Sequence, residues 1–147
     1  MKKLYGASLT YLIVGLAAGV FYREFTRFFD AVEKSQLNTL HTHLLVLGTF
    51  FFLIAVALEK LFTLSADKNF GKWFVAHNVA LVWTIGAMLV NGIVHTTGNG
   101  DSWGAAQSGV VGLGHILLSV TFVWFFLMLK KRIKITERDE RRLLNAK

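Results

Sequence analysis

The chain has 147 residues, 54% of them hydrophobic, with no proline, no cysteine and a formal net charge of +7. The missing cysteines exclude disulfides, thiolate metal sites and a covalent Cys-X-X-Cys-His haem attachment. The positive charge does not argue for nucleic acid, because most of it follows an apolar stretch, where basic clusters face anionic lipid.

Apolar residues gather into four runs, at positions 4–22, 40–58, 73–95 and 108–129. Each approaches or exceeds the roughly 20 residues needed to cross a hydrocarbon core of about 30 Å. Only helices and closed barrels satisfy their backbone in lipid, and strand-like alternation is absent. The expected fold is an all-α integral membrane four-helix bundle, one domain over residues 1–147, ending in a basic tail at 130–147.

The first run follows Lys2 and Lys3 and includes Ala17-Ala18-Gly19, which resembles a signal-peptide end. The run is longer than a signal core and reads as a span. Gly15 and Gly19 have the spacing that lets helices approach closely, within one chain or between copies. In the loop at 23–39, Phe25, Phe28, Phe29 and Val32 recur at helical spacing among charges, which predicts a short interfacial amphipathic helix. The second run opens with His41 and His43 and closes with Glu59 and Lys60. The third carries Trp73 at its start, the solitary His77, then Trp83, Asn91 and His95. The loop at 96–107 is rich in Gly, Thr, Asn and Ser, with Asp101 and Trp103. It is a lid over a site or simply a turn. Trp73 and Trp103 read as interfacial anchors. The fourth run contains His115 and leads into Lys130-Lys131-Arg132-Ile133-Lys134 and on to Arg138, Arg141 and Arg142.

Lysines and arginines favour the side that holds Lys2, Lys3, Lys60, Lys68, Lys72 and the tail. This bias predicts both termini in the cytoplasm and a location in the inner membrane. His41, His43, His95 and His115 then share the outer leaflet. At 1.5 Å per residue, His43 lies about 5 Å inward of Leu40 and His115 about 10 Å inward of Ser108. Ionisable side chains in a membrane signal function by default. Without thiolates, imidazole points to haem, copper or zinc. His41 and His43 diverge by about 200° on a helix, so they serve two sites on opposite sides of it, or one binds metal while the other serves solvent, a propionate or a proton path. Only a helix that begins after His41 would allow a joint site. Gly48, Gly92 and Gly112 offer cleared surface near the histidines for a flat cofactor, and Asn91 is placed to orient His95. Arg23 is the best cation for a haem propionate, by charge-assisted bonds. His77 reads as an interfacial or backbone-bonded residue.

The segment Leu40-His41-Thr42-His43-Leu44-Leu45-Val46-Leu47-Gly48 resembles the His-X-His helix of haem–copper oxidase and nitric oxide reductase catalytic subunits. There, two divergent histidines ligate two haems. Gly6-Ala7, Thr10-Tyr11, Gly19-Val20-Phe21-Tyr22-Arg23-Glu24-Phe25 and Leu40-His41-Thr42-His43 are similar to a family of small four-span bacterial membrane proteins without established activity. Together the resemblances imply a four-helix chain that supplies twelve spans as a homotrimer. The chain lacks the oxidase's His-His copper pair and a His-Tyr crosslink motif. The leading expectation is a haem b (iron) protein in the lipid bilayer. It would serve electron transport with His43 and His115 as the axial pair, or, with a single axial histidine and an open position, diatomic gas (O2 or NO) binding or a haem-dependent oxidoreductase activity. Its redox partner or gas is not specified. The alternatives are a copper or zinc chaperone, sensor or transporter using His41, His43, His95 and His115, and a cofactor-free structural or assembly protein.

Overall fold

With no proline anywhere in the chain, nothing interrupts backbone hydrogen bonding within an apolar run, and each predicted span is a helix longer than its run. The structure, a computed structural model, describes residues 1–31 and 35–146. Four helices in it are long and apolar enough to cross a membrane: α1 (Lys2–Phe28), α2 (Leu37–Phe62), α3 (Phe70–Thr96) and α4 (Ala105–Asn145). Short 3-10 turns at Leu64–Ala66 and Gly100–Ser102 lie in the last two connections. The described residues contain no strand.

The predicted interfacial helix is not a separate element. Its first residues continue α1 to Phe28, carried by Phe21 and Phe25 at 4.9 Å and Phe25 and Phe29 at 4.8 Å. The helix ends where Asp30 turns left-handed (φ 47°), with its N–H bonded to the Arg27 carbonyl. At the other end of the expected helix, Leu37 to Thr39 already belong to α2. Val32, Glu33 and Lys34 lie outside the described residues. The tail is also not separate. α4 runs unbroken for 41 residues, about 60 Å at 1.5 Å per residue, so its basic part projects beyond a bilayer as helix.

α1 packs along α2, and α3 packs along α4. The first turns of α2 also meet α3, and its last turns meet α4. Glycine sets the closest of these approaches. A Cβ on Gly15 would lie 2.9 Å from Leu45, and one on Gly48 would lie 2.5 Å from Tyr11. A Cβ on Gly114 would lie 2.6 Å from Thr84. The Gly15/Gly19 spacing therefore serves packing of α1 on α2 within the chain, with His41 resting on Gly19.

The middle of α2, Leu44–Phe50, is a π-helical turn. Such turns accommodate an extra residue and change which residues share a face. Ser8 in α1 donates to the Thr49 carbonyl at 3.0 Å, giving that segment a partner from the neighbouring helix.

The end of the bundle that holds both termini is tied together. Thr63, with φ 49°, ends α2, and its N–H bonds the Glu59 carbonyl. The buried Glu59 carboxylate accepts the Ser65 N–H at 2.8 Å and stands 3.9 Å from the N-terminal amine. Lys131 donates to Asp67 at 2.7 Å, and Arg132 donates to the Phe62 carbonyl at 3.0 Å. Trp73, expected at an interface, is instead fully buried in this half, its indole N–H donating to the Thr121 carbonyl. Its ring fills the centre of an aromatic cluster, where burying a large apolar surface outweighs interfacial placement.

Candidate functional site

Of the four histidines expected at one depth, the fold brings His43 and His115 together. Their ring centres are 6.5 Å apart and their planes are nearly perpendicular, at 89°. His43 is half-buried on α2, and His115 lies on an open face of α4. Nδ1 of His43 lies 2.9 Å from the Thr39 carbonyl, and Nδ1 of His115 lies 3.3 Å from the Val111 carbonyl. A carbonyl only accepts, so each Nδ1 must carry the proton. Each Nε2 is therefore the basic, lone-pair nitrogen, the arrangement in which a histidine binds metal through Nε2 while its other N–H is anchored.

The ring separation discriminates between geometries. Two imidazoles on opposite sides of one metal, at a metal–nitrogen distance of about 2.0–2.1 Å, have ring centres about 6.4 Å apart. At a tetrahedral angle the centres would be about 5 Å apart. The observed 6.5 Å is close to the first value and wider than the second. Beside His115, Gly112 has nothing within 4 Å of where a Cβ would stand, leaving open surface.

The remaining histidines stand apart from this pair. His41 points to the other side of α2, over Gly19. The divergence follows from the two-residue spacing, because both residues are within regular helix. The His41 Nδ1 is buried without a partner among the described residues. His95 sits under the loop that follows α3, beside Trp103 at 6.2 Å, with Gly100 pressed against its ring. Asn91 is buried but not hydrogen-bonded to His95. The surfaces at Gly48 and Gly92 are not available to a flat cofactor. Tyr11 fills the first, and Leu37 the second. Arg23 is exposed and lies 3.6 Å from Glu24. Among the described residues, no three His, Asp or Glu side chains converge as a metal-holding group.

His77, expected to be interfacial or backbone-bonded, is the most buried of the five histidines. It is fully buried, 4.7 Å from Phe51, 5.0 Å from Phe122 and 5.6 Å from Trp73 by ring centres. Its Nδ1 is 2.9 Å from the Thr121 hydroxyl. It is neither interfacial nor bonded to backbone. The aromatic residues that enclose it come from α2, α3 and α4, so no local sequence pattern around His77 announces its surroundings.

Four helices long and apolar enough to span define a small multi-pass membrane protein. Residues 1–132 match a family described as a protein of unknown function, DUF2871, and the chain belongs to that family. No curated protein and no solved structure matches it.

Proposed function

We propose that this protein holds a b-type haem between α2 and α4, with His43 and His115 as its two axial ligands, and that it carries electrons in the membrane. One observation supports this above the rest: two imidazoles with free Nε2 atoms, ring centres 6.5 Å apart, on helices whose histidine-bearing parts are not tightly packed together. A haem iron with both axial positions filled by histidine is suited to electron transfer rather than to gas binding, which needs an open position. The bound haem supplies one-electron chemistry. The protein's part is to fix both imidazoles through Thr39 and Val111 and to present the open surface at Gly112.

Arg23, expected from the sequence to meet a propionate, lies one turn beyond Gly19 on α1, on the side of α2 that His41 faces, and is not assigned to this haem. The lysine and arginine bias favours cytoplasmic termini in the inner membrane, with the histidine pair in the outer leaflet. The likeness of the His41–His43 helix to the haem–copper enzymes is consistent with this reading, as is assembly into a homotrimer. A native mass of one or two chains would remove the trimer. The copper or zinc alternative requires a further ligand beside the pair, or a tighter angle between the rings.

The test is an optical spectrum of the purified protein, oxidised and dithionite-reduced, with iron measured on the same sample. A Soret band with sharp reduced α and β bands is expected, insensitive to carbon monoxide. His43→Ala and His115→Ala should each abolish that six-coordinate spectrum, while His41→Ala and His95→Ala should leave it intact. A protein that stays colourless when haem is supplied during expression, or an unchanged spectrum in His115→Ala, defeats the proposal.

A further inference from the structure

A groove of about 490 Å³ runs along the outside of the bundle between α1, α2 and α3. Its walls are apolar except for Thr10, Tyr11 and Asn78. Tyr11 is the ninth residue after Lys2, and Asn78 the eighth after Phe70. The two therefore sit about 12–14 Å along their helices, inside the hydrocarbon layer. The Tyr11 hydroxyl donates to Asn78 Oδ1 at 2.9 Å, and Asn78 Nδ2 donates to the Phe74 carbonyl at 2.7 Å. That leaves the phenol oxygen free to accept and the second N–H of Asn78 free to donate. Polar groups with unused capacity at this depth are costly unless a ligand meets them.

We propose that this groove binds the ring of an isoprenoid quinone or quinol. A quinone carbonyl accepts from the Asn78 N–H, and a quinol hydroxyl donates to the Tyr11 oxygen, so the pair suits either form. A lipid acyl chain offers neither partner. The groove opens sideways to lipid through Val14, Val82 and Gly86, all exposed, and Gly86 leaves an open floor. The volume is that of an ordinary small-ligand site. Val82 and Trp83 continue the groove into a second apolar furrow that ends at Trp103 and Gln107, a path for the isoprenoid tail. Leu44, which lines the groove, directly follows His43 in the chain. The assignment uses neither His43 nor His115, so it stands or falls separately from the haem reading.

The test is a titration of the full-length protein in detergent with decylubiquinone, read by quenching of tryptophan fluorescence, since Trp83 borders the groove. Saturable quenching is expected, and it should weaken at least tenfold in Tyr11→Phe and in Asn78→Leu. It should persist in His43→Ala and His115→Ala and lose amplitude in Trp83→Phe. Tyr11→Phe keeps the ring that packs on Gly48 and stacks on Phe52 at 5.9 Å, so it probes the hydroxyl without emptying the core. Quenching that rises linearly without saturation, or that ignores both substitutions, overturns the proposal. So does a tightly held phospholipid that decylubiquinone fails to displace. Efficient Val82→Cys crosslinking between copies would make the groove a subunit interface and overturn it equally.

Discussion

His77 is bonded at one nitrogen only, although it is fully buried. The Thr121 hydroxyl donates to the Leu118 carbonyl at 2.8 Å, so it receives a proton from His77 Nδ1 rather than giving one. Nε2 is then a lone-pair nitrogen with no partner among surrounding aromatic rings. Among the described residues, the Thr121 bond is thus the sole polar anchor of a buried imidazole. Thr121→Val keeps the shape of the side chain and removes the acceptor. An unsatisfied buried donor costs about 1–3 kcal/mol. We expect the variant to be less stable in detergent by that margin, with any haem spectrum unchanged, because Thr121 lies six residues, about 9 Å, along α4 from His115. Unaltered stability would mean that the bond contributes nothing and that aromatic packing alone holds His77.

At the scale of the element, the π turn Leu44–Phe50 decides which way His43 faces relative to the aromatic half of α2. Deleting Val46, an exposed residue in that turn, should restore α-helical winding and rotate the start of α2 by about 100° against Phe51 and Phe52. The helix should survive, as judged by circular dichroism, while the pairing of His43 with His115 and any haem spectrum are lost. A retained spectrum would show that the turn does not set the register. Helix existence, number and the divergence of His41 from His43 were all legible in the sequence, because apolar length and a two-residue spacing are local facts. The π turn was not, since Leu44-Leu45-Val46-Leu47-Gly48 reads as ordinary helix. Nor was the fate of the glycines. Gly48 and Gly92 take the side chains of Tyr11 and Leu37, partners from other helices, whereas Gly112 stays open. The seclusion of His95 likewise depends on where the loop after α3 folds.

Across the whole molecule, the two ends are held differently. At the histidine end, α4 presents an open face at Gly109, Gly112 and His115. At the other end, charge ties α4 to the α2–α3 connection. The basic run after the fourth span was legible as a cluster, but its two inward contacts were not, because Asp67 and the Phe62 carbonyl are distant in sequence. Asp67 is almost wholly buried, and its carboxyl is held below its ordinary value of 3.8 by the bond from Lys131 and then by the Asn69 N–H. A carboxylate whose pKa is lowered by folding stabilises the fold above its unfolded pKa, and that contribution is lost as pH falls through the folded value. Asp67→Asn should therefore unfold at lower temperature than the parent at pH 7. The gap should narrow below about pH 4, where Asp67 begins to take up a proton in the unfolded chain. Lys131→Met should reproduce the deficit at neutral pH and add little to Asp67→Asn, since both remove one ion pair. A gap between parent and Asp67→Asn that is constant from pH 7 to pH 3 would show that the latch acts through side-chain shape and neutral hydrogen bonds, not through the charge on Asp67.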